Sequence, residues 1–161
     1  MNTTQVELLP LDEDSLKDLL AAAVADSDPL EVMPPVDGPA GWNEARRQAF
    51  LEFHWARSLR TENPVETTYV IVANNQVVGA ARLEPKEDGL EAGVWIGISH
   101  RGQGIGQQVG ALLLREAKTA GAGTFLASTT TDNLAAQALL KRAGAALDVK
   151  AGDVEASLDL I

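Results

Sequence analysis

Residues 91–122 read EAGVWIGISHRGQGIGQQVGALLLREAKTAGA, and this stretch decides which fold the chain can adopt. An apolar run with strand character ends in a turn that holds Gly102, Gly104 and Gly106, and a long helical pattern follows at once. The first N–H groups of a helix have no partner inside it, so such a turn can bind an anion. Arg101 adds a guanidinium cation, which can form bidentate hydrogen bonds with phosphate oxygens. The turn is therefore a candidate phosphate site, and a turn that only packs the helix on a sheet is the alternative.

Two familiar phosphate motifs do not fit this turn. A P-loop requires GxxxxGK followed by Ser or Thr, which the chain lacks. The dinucleotide fingerprint GxGxxG fails because Gln107 stands where the third glycine belongs. That fingerprint also expects a following parallel strand with an acid near its end, whereas here the strand ends in STTTDN. The ligand therefore has to be inferred from the elements around the turn.

Hydrophobic periodicity and turn residues predict those elements. Upstream we expect a short strand at VELLP, a helix capped by Asp12 or Asp14 that runs to about Ala25, a helix from Trp42 to about Leu59, a hairpin that turns at Asn74-Asn75, and a strand over Leu90–Ile98. Downstream we expect a helix over about Gly104–Ala120, the strand GTFLASTT, a helix over Asn133–Ala143 capped by Asp132 or Thr131, and a hairpin that turns at Ala151–Asp153. The segment DSDPLEVMPPVDGPAG reads as a long loop, of a length that is often functional. This order predicts an α+β domain with a mixed, mostly antiparallel sheet of about seven strands and about four helices.

The composition restricts the classes of function. The chain has 161 residues, which fits one domain over residues 1–161. It has no cysteine, which excludes disulfides, thiolate metal sites and a cysteine nucleophile, and His54 and His100 are too scattered for a metal site. The net charge of −10 would repel nucleic-acid phosphates. No apolar run reaches the roughly 20 residues of a membrane span and no signal-peptide pattern is present, so we expect a cytoplasmic protein without nucleic-acid or membrane partners.

The turn RGQGIG resembles the acetyl-CoA loop of the GNAT N-acetyltransferase superfamily, whose motif is Arg/Gln-x-x-Gly-x-Gly/Ala. Arg101, Gly104 and Gly106 match that motif. The family's pattern on the next helix is matched by Asn133, Ala136, Leu139 and Gly144. The stretch EAGVWIG is similar to the Glu-x-Gly-x-Trp-Ile/Leu-Gly signature of the Rim-type branch, which includes acetyltransferases of ribosomal-protein N-termini. The resemblance covers nearly the whole order of elements.

The resemblance implies acetyl-CoA as the cofactor. It implies that N–H groups from about Gly102 to Gly106 hold the pyrophosphate, and that the backbone of Val94–Ile98 pairs with the pantetheine arm like an added strand. Gly93 and Gly97 would keep that approach open. Asn133 would bind the cofactor arm through its amide, with a helix N-cap as the alternative role. The cofactor-binding residues implied are Val94, Trp95, Ile96, Gly97, Ile98, Arg101, Gly102, Gln103, Gly104, Ile105, Gly106 and Asn133.

A general base would help an amine to attack a thioester. A lysine-like amine with a pKa of about 10.4 carries a penalty of roughly 4–5 kcal/mol at pH 7, and an α-amine near 8 carries only about 1 kcal/mol. Glu91 begins the cofactor strand, where the Rim-type pattern has its candidate base, and it could act directly or through water. The structural alternative is a cross-strand ion pair, because a turn around Lys86 and Glu87 would place Glu91 roughly opposite Arg82. Both roles can hold together.

The residue at the family's position for the general acid differs from the family pattern. Many members place a tyrosine where this chain has Leu140, and the only tyrosine here is Tyr69 in an earlier strand. The proton donor is then water or one of the four hydroxyl residues Ser128, Thr129, Thr130 and Thr131. The alternative is that protonation matters little, because a coenzyme A thiol with a pKa of about 8.5, like that of cysteine, leaves without strong help.

These observations predict a single-domain acetyl-CoA-dependent N-acetyltransferase that transfers an acetyl group directly to an amine of a small molecule or a peptide N-terminus. The alternatives are a coenzyme A-binding sensor or interaction module without turnover, and acyl transfer to a hydroxyl. Acid in the long loop, at Asp26, Asp28, Glu31 and Asp37, favours a cationic acceptor, although net charge can also serve solubility alone. The acceptor's identity and the oligomeric state stay open, with a homodimer among the states considered.

Overall fold

The computed structural model describes residues 4–161, in which one seven-stranded sheet has helices on both faces. The strands are β1 (Val6–Pro10), β2 (Thr67–Ala73), β3 (Gln76–Lys86), β4 (Gly89–Ile96), β5 (Thr124–Thr130), β6 (Ala146–Lys150) and β7 (Asp153–Asp159). The α-helices are α1 (Glu13–Asp26), α2 (Pro29–Val32), α3 (Glu44–His54), α4 (Ile105–Thr119) and α5 (Leu134–Arg142). A π-helical turn (Trp55–Leu59) extends α3, and a 3-10 turn (Ile98–His100) follows β4. In residues 4–161 no helix has the length and apolar character required to cross a membrane.

The strand order of the sheet is β1-β2-β3-β4-β5-β7-β6. Only β4 and β5 run parallel, and every other neighbouring pair is antiparallel. The prediction of a mixed, mostly antiparallel α+β sheet is therefore confirmed. The extra helix is α2, a single turn within the segment that was predicted as loop; Asp28 starts it by accepting a hydrogen bond from the N–H of Leu30.

Local sequence explains the hairpin turn and the start of α1. Asn74 and Asn75 have φ angles of 49° and 67°, which asparagine tolerates better than most residues and which suit a tight two-residue turn. Asp12 is the N-cap of α1, and its carboxylate accepts a hydrogen bond from the Ser15 N–H at 2.7 Å. The Ser15 hydroxyl accepts in return from the Asp12 N–H, which completes a capping box.

For the cap of the last helix, the prediction of Asp132 or Thr131 is wrong, and the alternative role of Asn133 as the N-cap is confirmed. Asn133 itself is the N-cap of α5, and its side-chain oxygen accepts from the N–H of Ala136 at 3.1 Å. Asp132 instead accepts a hydrogen bond from the hydroxyl of Thr130, so its carboxylate is turned toward the end of β5. Three consecutive polar residues could each cap a helix, and only the path of the chain out of β5 selects one of them.

Two apolar cores hold the sheet between its helices. On one face α4 buries one side of its surface through Ile105, Val109, Leu113 and Ala117, which recur at intervals of four residues. On the other face α1 and α3 cover β2 and β3 through Leu16, Leu19, Ala23 and Phe50. Each large side chain that becomes fully buried contributes about 1.5–3 kcal/mol. The cores fix β3 and β4 at the centre of the sheet, where the candidate site lies.

The contact between β3 and β4 at Gly79 should be intolerant of a side chain. Gly79 pairs with Ile96, and a Cβ at Gly79 would overlap the backbone oxygen of Trp95. We expect Gly79→Ala to lower the free energy of unfolding by about 2 kcal/mol or more, because the backbone of β4 would have to separate from β3 to admit the methyl group.

Gly110→Ala is the matched control. A Cβ there would meet only the end of the flexible Leu139 side chain, and alanine raises helix propensity by about 1 kcal/mol. Urea unfolding of both variants checks the prediction, and equal stabilities would contradict it.

Candidate active site

A gap opens in the middle of the sheet between β4 and β5. The two strands pair over only three positions, residues 90–92 with residues 125–127. Beyond these, β4 stays paired with β3 as far as Ile96, and β5 stays paired with β7 as far as Thr130. The peptide groups of β4 from Gly93 to Ile96 therefore have no strand partner on the β5 side within residues 4–161. An open strand edge of this kind can receive an extended chain as an added strand.

The glycine turn closes the open end of this gap. Gly102 and Gly104 have φ angles of 76° and 82°, which favour glycine, and nothing lies within 4 Å of the place where their side chains would be. Gly104 is the N-cap of α4, and no side chain caps the helix there. A Cβ at Gly106 would lie 3.6 Å from Ile96 Cδ1, which places the helix start beside the end of β4. The first N–H groups of α4 thus face open space, as an anion site requires.

Arg101 does not point into free solvent. Its Nε donates to the carbonyl oxygen of Ile96 at 2.9 Å, and its Nη2 donates to Glu31 Oε2 at 2.7 Å. Glu31 belongs to α2, the short helix inside the acidic loop. The arginine that the sequence assigned to phosphate therefore links the glycine turn to that loop.

Gly93 and Gly97 make room for side chains of the protein itself. A Cβ at Gly93 would collide with the Arg82 side chain, and one at Gly97 would collide with the carboxylate of Asp26. This differs from the sequence expectation that both glycines keep the approach open for the cofactor.

Hydrogen bonds to Asp26 join the end of α1 to the segment after β4. Its carboxylate accepts from the hydroxyl of Ser99 at 2.7 Å and from the N–H of Ser99 at 3.0 Å. These hydrogen bonds lower the pKa of Asp26. The contact holds α1 beside the start of the glycine turn.

Glu91 lies in an ion-pair network that Arg82 organises. In the strand register Glu91 faces Glu84, and Arg82 faces Gly93, so the expected position of Glu91 opposite Arg82 is wrong. The ion pair nevertheless forms diagonally, with Arg82 Nη2 at 3.4 Å from Glu91 Oε1. Arg82 also contacts Glu84 at 2.9 Å through Nη1 and Glu66 at 3.8 Å through Nε. Without these contacts, two glutamates directly across from each other would repel.

Further cations complete the network. Arg57 Nη2 donates to Glu84 at 2.9 Å and to Glu66 at 3.3 Å, and Lys86 donates to Glu84 at 2.8 Å. Hydrogen bonding to Glu66 raises the pKa of Arg57, and the hydrogen bond from Lys86 lowers the pKa of Glu84. The side chain of Glu66 is almost fully buried, so its charge depends on these arginines. Three glutamates thus face three cations, and the network is close to neutral.

A cleft of about 420 Å³ lies between α2, the end of α3 and strands β2 to β5. Its walls combine apolar side chains with the carboxylates of Glu31, Glu66 and Glu91. Of the hydroxyl residues 128–131, Ser128 is the one that lines the cleft among residues 4–161. Tyr69 packs instead against the core under α4, where burial raises the pKa of its hydroxyl. The cleft therefore brings a candidate base and a candidate hydroxyl to the place where β4 and β5 begin to separate.

His54 forms part of the cleft wall. It is only 4% exposed, and neither ring nitrogen has a hydrogen-bond partner within residues 4–161. The rings of Phe50 and Phe53 meet it edge-on, with centroids at 4.8 Å and 5.2 Å. Burial lowers the pKa of His54 from 6.5 to about 4, so the ring is neutral at pH 7. The position of His54 on the apolar side of its helix predicts a packing role, and its burial confirms that role.

Arg46 is a further residue that sequence reasoning missed. It is buried, and its guanidinium donates to the backbone oxygens of Val36 and Gly41 at 2.8 Å, to Gly38 at 3.2 Å and also to Pro39. One side chain therefore organises most of the loop that follows α2. An arginine on the apolar side of α3, directly after a Pro- and Gly-rich loop, is the signal that could have indicated this role.

Comparison with known proteins agrees with this geometry. The model of the acetyltransferase (GNAT) domain family matches residues 5–146. The chain matches none of the curated protein sequences.

Solved structures with the same fold include three named acetyltransferases. The spermidine/spermine N-acetyltransferase SpeG from Vibrio cholerae aligns with a TM-score of 0.70 at 15% identity, over 97% of this chain and 94% of that chain. The N-acetyltransferase PseH from Campylobacter jejuni, in complex with acetyl coenzyme A, aligns with a TM-score of 0.67 at 12% identity, over 96% and 99%. RimL, a ribosomal alpha-N-protein acetyltransferase in complex with coenzyme A, aligns with a TM-score of 0.63 at 22% identity, over 98% and 95%. At these identities the similarity establishes the fold alone.

His54 should make the protein less stable in acid. The folded state keeps the ring neutral down to about pH 4, whereas the unfolded chain takes up a proton below about pH 6.5. The unfolded state then binds more protons in this window, so the free energy of unfolding falls as the pH falls, by about 3 kcal/mol in total. Urea unfolding at several pH values between 4 and 7.5 measures this slope.

Two variants isolate the contribution of His54. His54→Phe and His54→Gln should both show a flatter dependence on pH than the wild type, and His100→Gln should keep the wild-type slope. A wild-type slope in both His54 variants would assign the acid sensitivity to other groups.

Proposed function

Because the chain belongs to the acetyltransferase (GNAT) domain family, we propose that it is an N-acetyltransferase that transfers the acetyl group of acetyl-CoA directly to an amine. The observation that carries the proposal is the gap between β4 and β5, which has the glycine turn at one end and Glu91 at the other. The chain has no cysteine to carry an acyl group, which favours direct transfer over a covalent enzyme. We assign residues 1–161 to one acetyltransferase domain.

Acetyl-CoA would occupy the gap and the turn. The turn residues Arg101, Gly102, Gln103, Gly104, Ile105 and Gly106 would hold the pyrophosphate, and the backbone of Val94, Trp95, Ile96, Gly97 and Ile98 would pair with the pantetheine arm. Val94 and Ile98 are exposed apolar side chains that a bound cofactor would cover. Asn133 already caps α5, and its remaining amide hydrogens are free to meet the cofactor arm. The bound coenzyme A molecules of PseH and RimL support this ligand for the fold.

Glu91 would act as the general base. Glu91 would take up the proton of the attacking amine, directly or through water. Acetyl-CoA would supply the thioester, whose carbon–sulfur bond would break as the carbon–nitrogen bond forms, so that coenzyme A would leave as a thiolate. The hydroxyl of Ser128 lines the same cleft and is our candidate for a hydrogen bond to that thiolate. Arg82 keeps the carboxylate of Glu91 in place while the proton moves.

The acceptor would be an amine on a small molecule or a peptide N-terminus. The Rim-type signature is present at Glu91, Gly93, Trp95, Ile96 and Gly97, and it supports assignment to that branch. An α-amine also needs less help to lose its proton than a lysine-like amine does. The apolar part of the cleft wall would hold the group that carries the amine.

The free protein offers a cationic acceptor fewer carboxylates than the sequence suggests. Of the four acids in the long loop, Asp26 binds Ser99, Asp28 caps α2 and Glu31 pairs with Arg101. Glu66 and Glu91 in the cleft are paired with Arg82. Most of the acid near the cleft is therefore already compensated before a substrate arrives.

The absence of the family tyrosine at Leu140 favours one other function, a coenzyme A-binding module without turnover. Release of free thiol from acetyl-CoA in the presence of a panel of amines separates the two functions. Acetyl transfer to any amine establishes the enzyme, whereas tight binding with no thiol release would establish the module.

Gly104→Val should block the proposed phosphate site. The side chain would fill the open space at the turn and strain a residue with a φ angle of 82°. Isothermal calorimetry should show acetyl-CoA affinity reduced by more than about tenfold, which corresponds to about 1.4 kcal/mol.

Gly121→Val is the matched control for this strain. Gly121 has a φ angle of 80° and the same open surroundings, but it lies at the other end of α4. Its acetyl-CoA affinity should equal that of the wild type. Unchanged affinity in folded Gly104→Val would remove the turn from the cofactor site.

Glu91→Gln should lower turnover more than cofactor affinity. We expect kcat/KM for the acceptor to fall by about a hundredfold, because the amide cannot take up a proton, while acetyl-CoA affinity changes by less than about twofold. Glu87→Gln, in the exposed turn between β3 and β4, serves as the control and should keep wild-type activity. Normal turnover of Glu91→Gln at neutral pH would leave Glu91 only as a member of the ion-pair network.

A further inference from the structure

One ion pair joins the glycine turn to the acceptor cleft. Glu31 lies in α2 and lines the cleft, and its Oε2 accepts a hydrogen bond from Arg101 Nη2 at 2.7 Å. Arg101 is also held by the carbonyl oxygen of Ile96, which keeps its guanidinium at the junction of turn and cleft. The two side chains are 47% and 48% exposed, so either partner can be exchanged for another ion.

A bound cofactor would compete with Glu31 for this guanidinium. The pyrophosphate would lie at the glycine turn, which begins with Arg101. A pyrophosphate carries more negative charge than one carboxylate. Arginine binds phosphate oxygens in a fork with good geometry, whereas an exposed ion pair between two flexible side chains is weak. Pyrophosphate and carboxylate would also repel each other across the shared cation.

Glu31 differs in this respect from the other carboxylates of the cleft. Glu66 and Glu91 keep their contacts with Arg82, which lies on β3 away from the glycine turn. When Arg101 turns to the pyrophosphate, Glu31 loses the cation that neutralises it. Its carboxylate then lines the cleft without its cation and is available to a cationic group of a ligand.

We propose that Glu31 is a specificity-determining residue that binds a cationic group of the acceptor after acetyl-CoA has drawn Arg101 away from it. This inference rests on the proposed function, because it requires acetyl-CoA at the turn. The acceptor class is an amine with a second positive charge, since the reacting amine must itself lose its proton. The cofactor binds first, and each ligand raises the affinity for the other by the same factor.

The coupling between Glu31 and Arg101 is tested with a double-mutant cycle in acetyl-CoA binding. Calorimetry compares the wild type, Glu31→Gln, Arg101→Met and the double variant. Glu31→Gln should tighten acetyl-CoA binding about two- to fivefold, because Arg101 no longer has to leave a carboxylate. In the Arg101→Met background the same change should have no effect. Asp37→Asn, an acid of the same loop outside the Arg101 contact, should leave the affinity unchanged.

The cycle separates this inference from the proposed function. If Glu31→Gln tightened acetyl-CoA binding equally in the wild-type and Arg101→Met backgrounds, the Glu31 carboxylate would act by repulsion through space. That result would overturn the proposed exchange of partners by Arg101. No tightening in either background would overturn it as well. If wild-type protein does not bind acetyl-CoA at all, the proposed function is wrong, whereas binding with an additive cycle leaves that function in place.

The acceptor side is tested with a diamine and the amino alcohol of the same chain length. At saturating acetyl-CoA, the wild type should prefer the diamine in kcat/KM by about fivefold or more, mainly through KM. Glu31→Gln should lose the preference with little change in kcat, and Arg101→Met should keep it, because Glu31 is then free throughout. An equal kcat/KM for both acceptors in the wild type, or a preference that survives Glu31→Gln, would overturn the role of Glu31.

Discussion

The structure depends on a single parallel strand pair that stops after three residues. β4 and β5 are parallel, so the chain needs a crossover between them, and α4 supplies it. The crossover must begin where β4 ends, which places the unpaired N–H groups of α4 at the mouth of the gap. β3 and β7 satisfy the outer edges of β4 and β5, so only the edges that face the gap remain open. The open edge of β4, the start of α4 and the cleft thus all follow from the parallel pairing of β4 and β5.

The ion-pair network solves a problem that the antiparallel register creates. Glu84 and Glu91 face each other across β3 and β4, and like charges in that position destabilise a sheet. Arg82, one register position along, reaches both carboxylates and also the buried Glu66. Removing Arg82 would therefore leave more than one uncompensated charge. Arg82 contacts Glu91 through one carboxylate oxygen. This contact orients the side chain, as a general base at the edge of a cleft requires.

Sequence reasoning predicted the features that depend on neighbours along the chain. The turn at Asn74 and Asn75 and the glycine turn follow from local backbone preferences, and both are present. It failed where the partner is distant in sequence or selected by register. Glu91 lies opposite Glu84 because the hairpin turns at Glu87 and Asp88, one residue later than the expected turn around Lys86 and Glu87, and this moves the partner of Glu91 by two positions along the same face. The clamp that Arg46 forms on four backbone carbonyls is indicated only by an arginine on the apolar side of a helix, and that signal does not say which distant carbonyls the guanidinium binds.

The net charge and the charge of the cleft have to be considered separately. A surplus of ten negative charges produces a field that attracts cations, but exposed charges are screened within about 8–10 Å at physiological salt. Asp26, Asp28 and Glu31 are committed to hydrogen bonds that shape the acidic segment and join it to the glycine turn. The field can therefore raise the rate of encounter without deciding which acceptor binds. Discrimination must come from the walls of the cleft and from any carboxylate whose cation is withdrawn when the gap is filled.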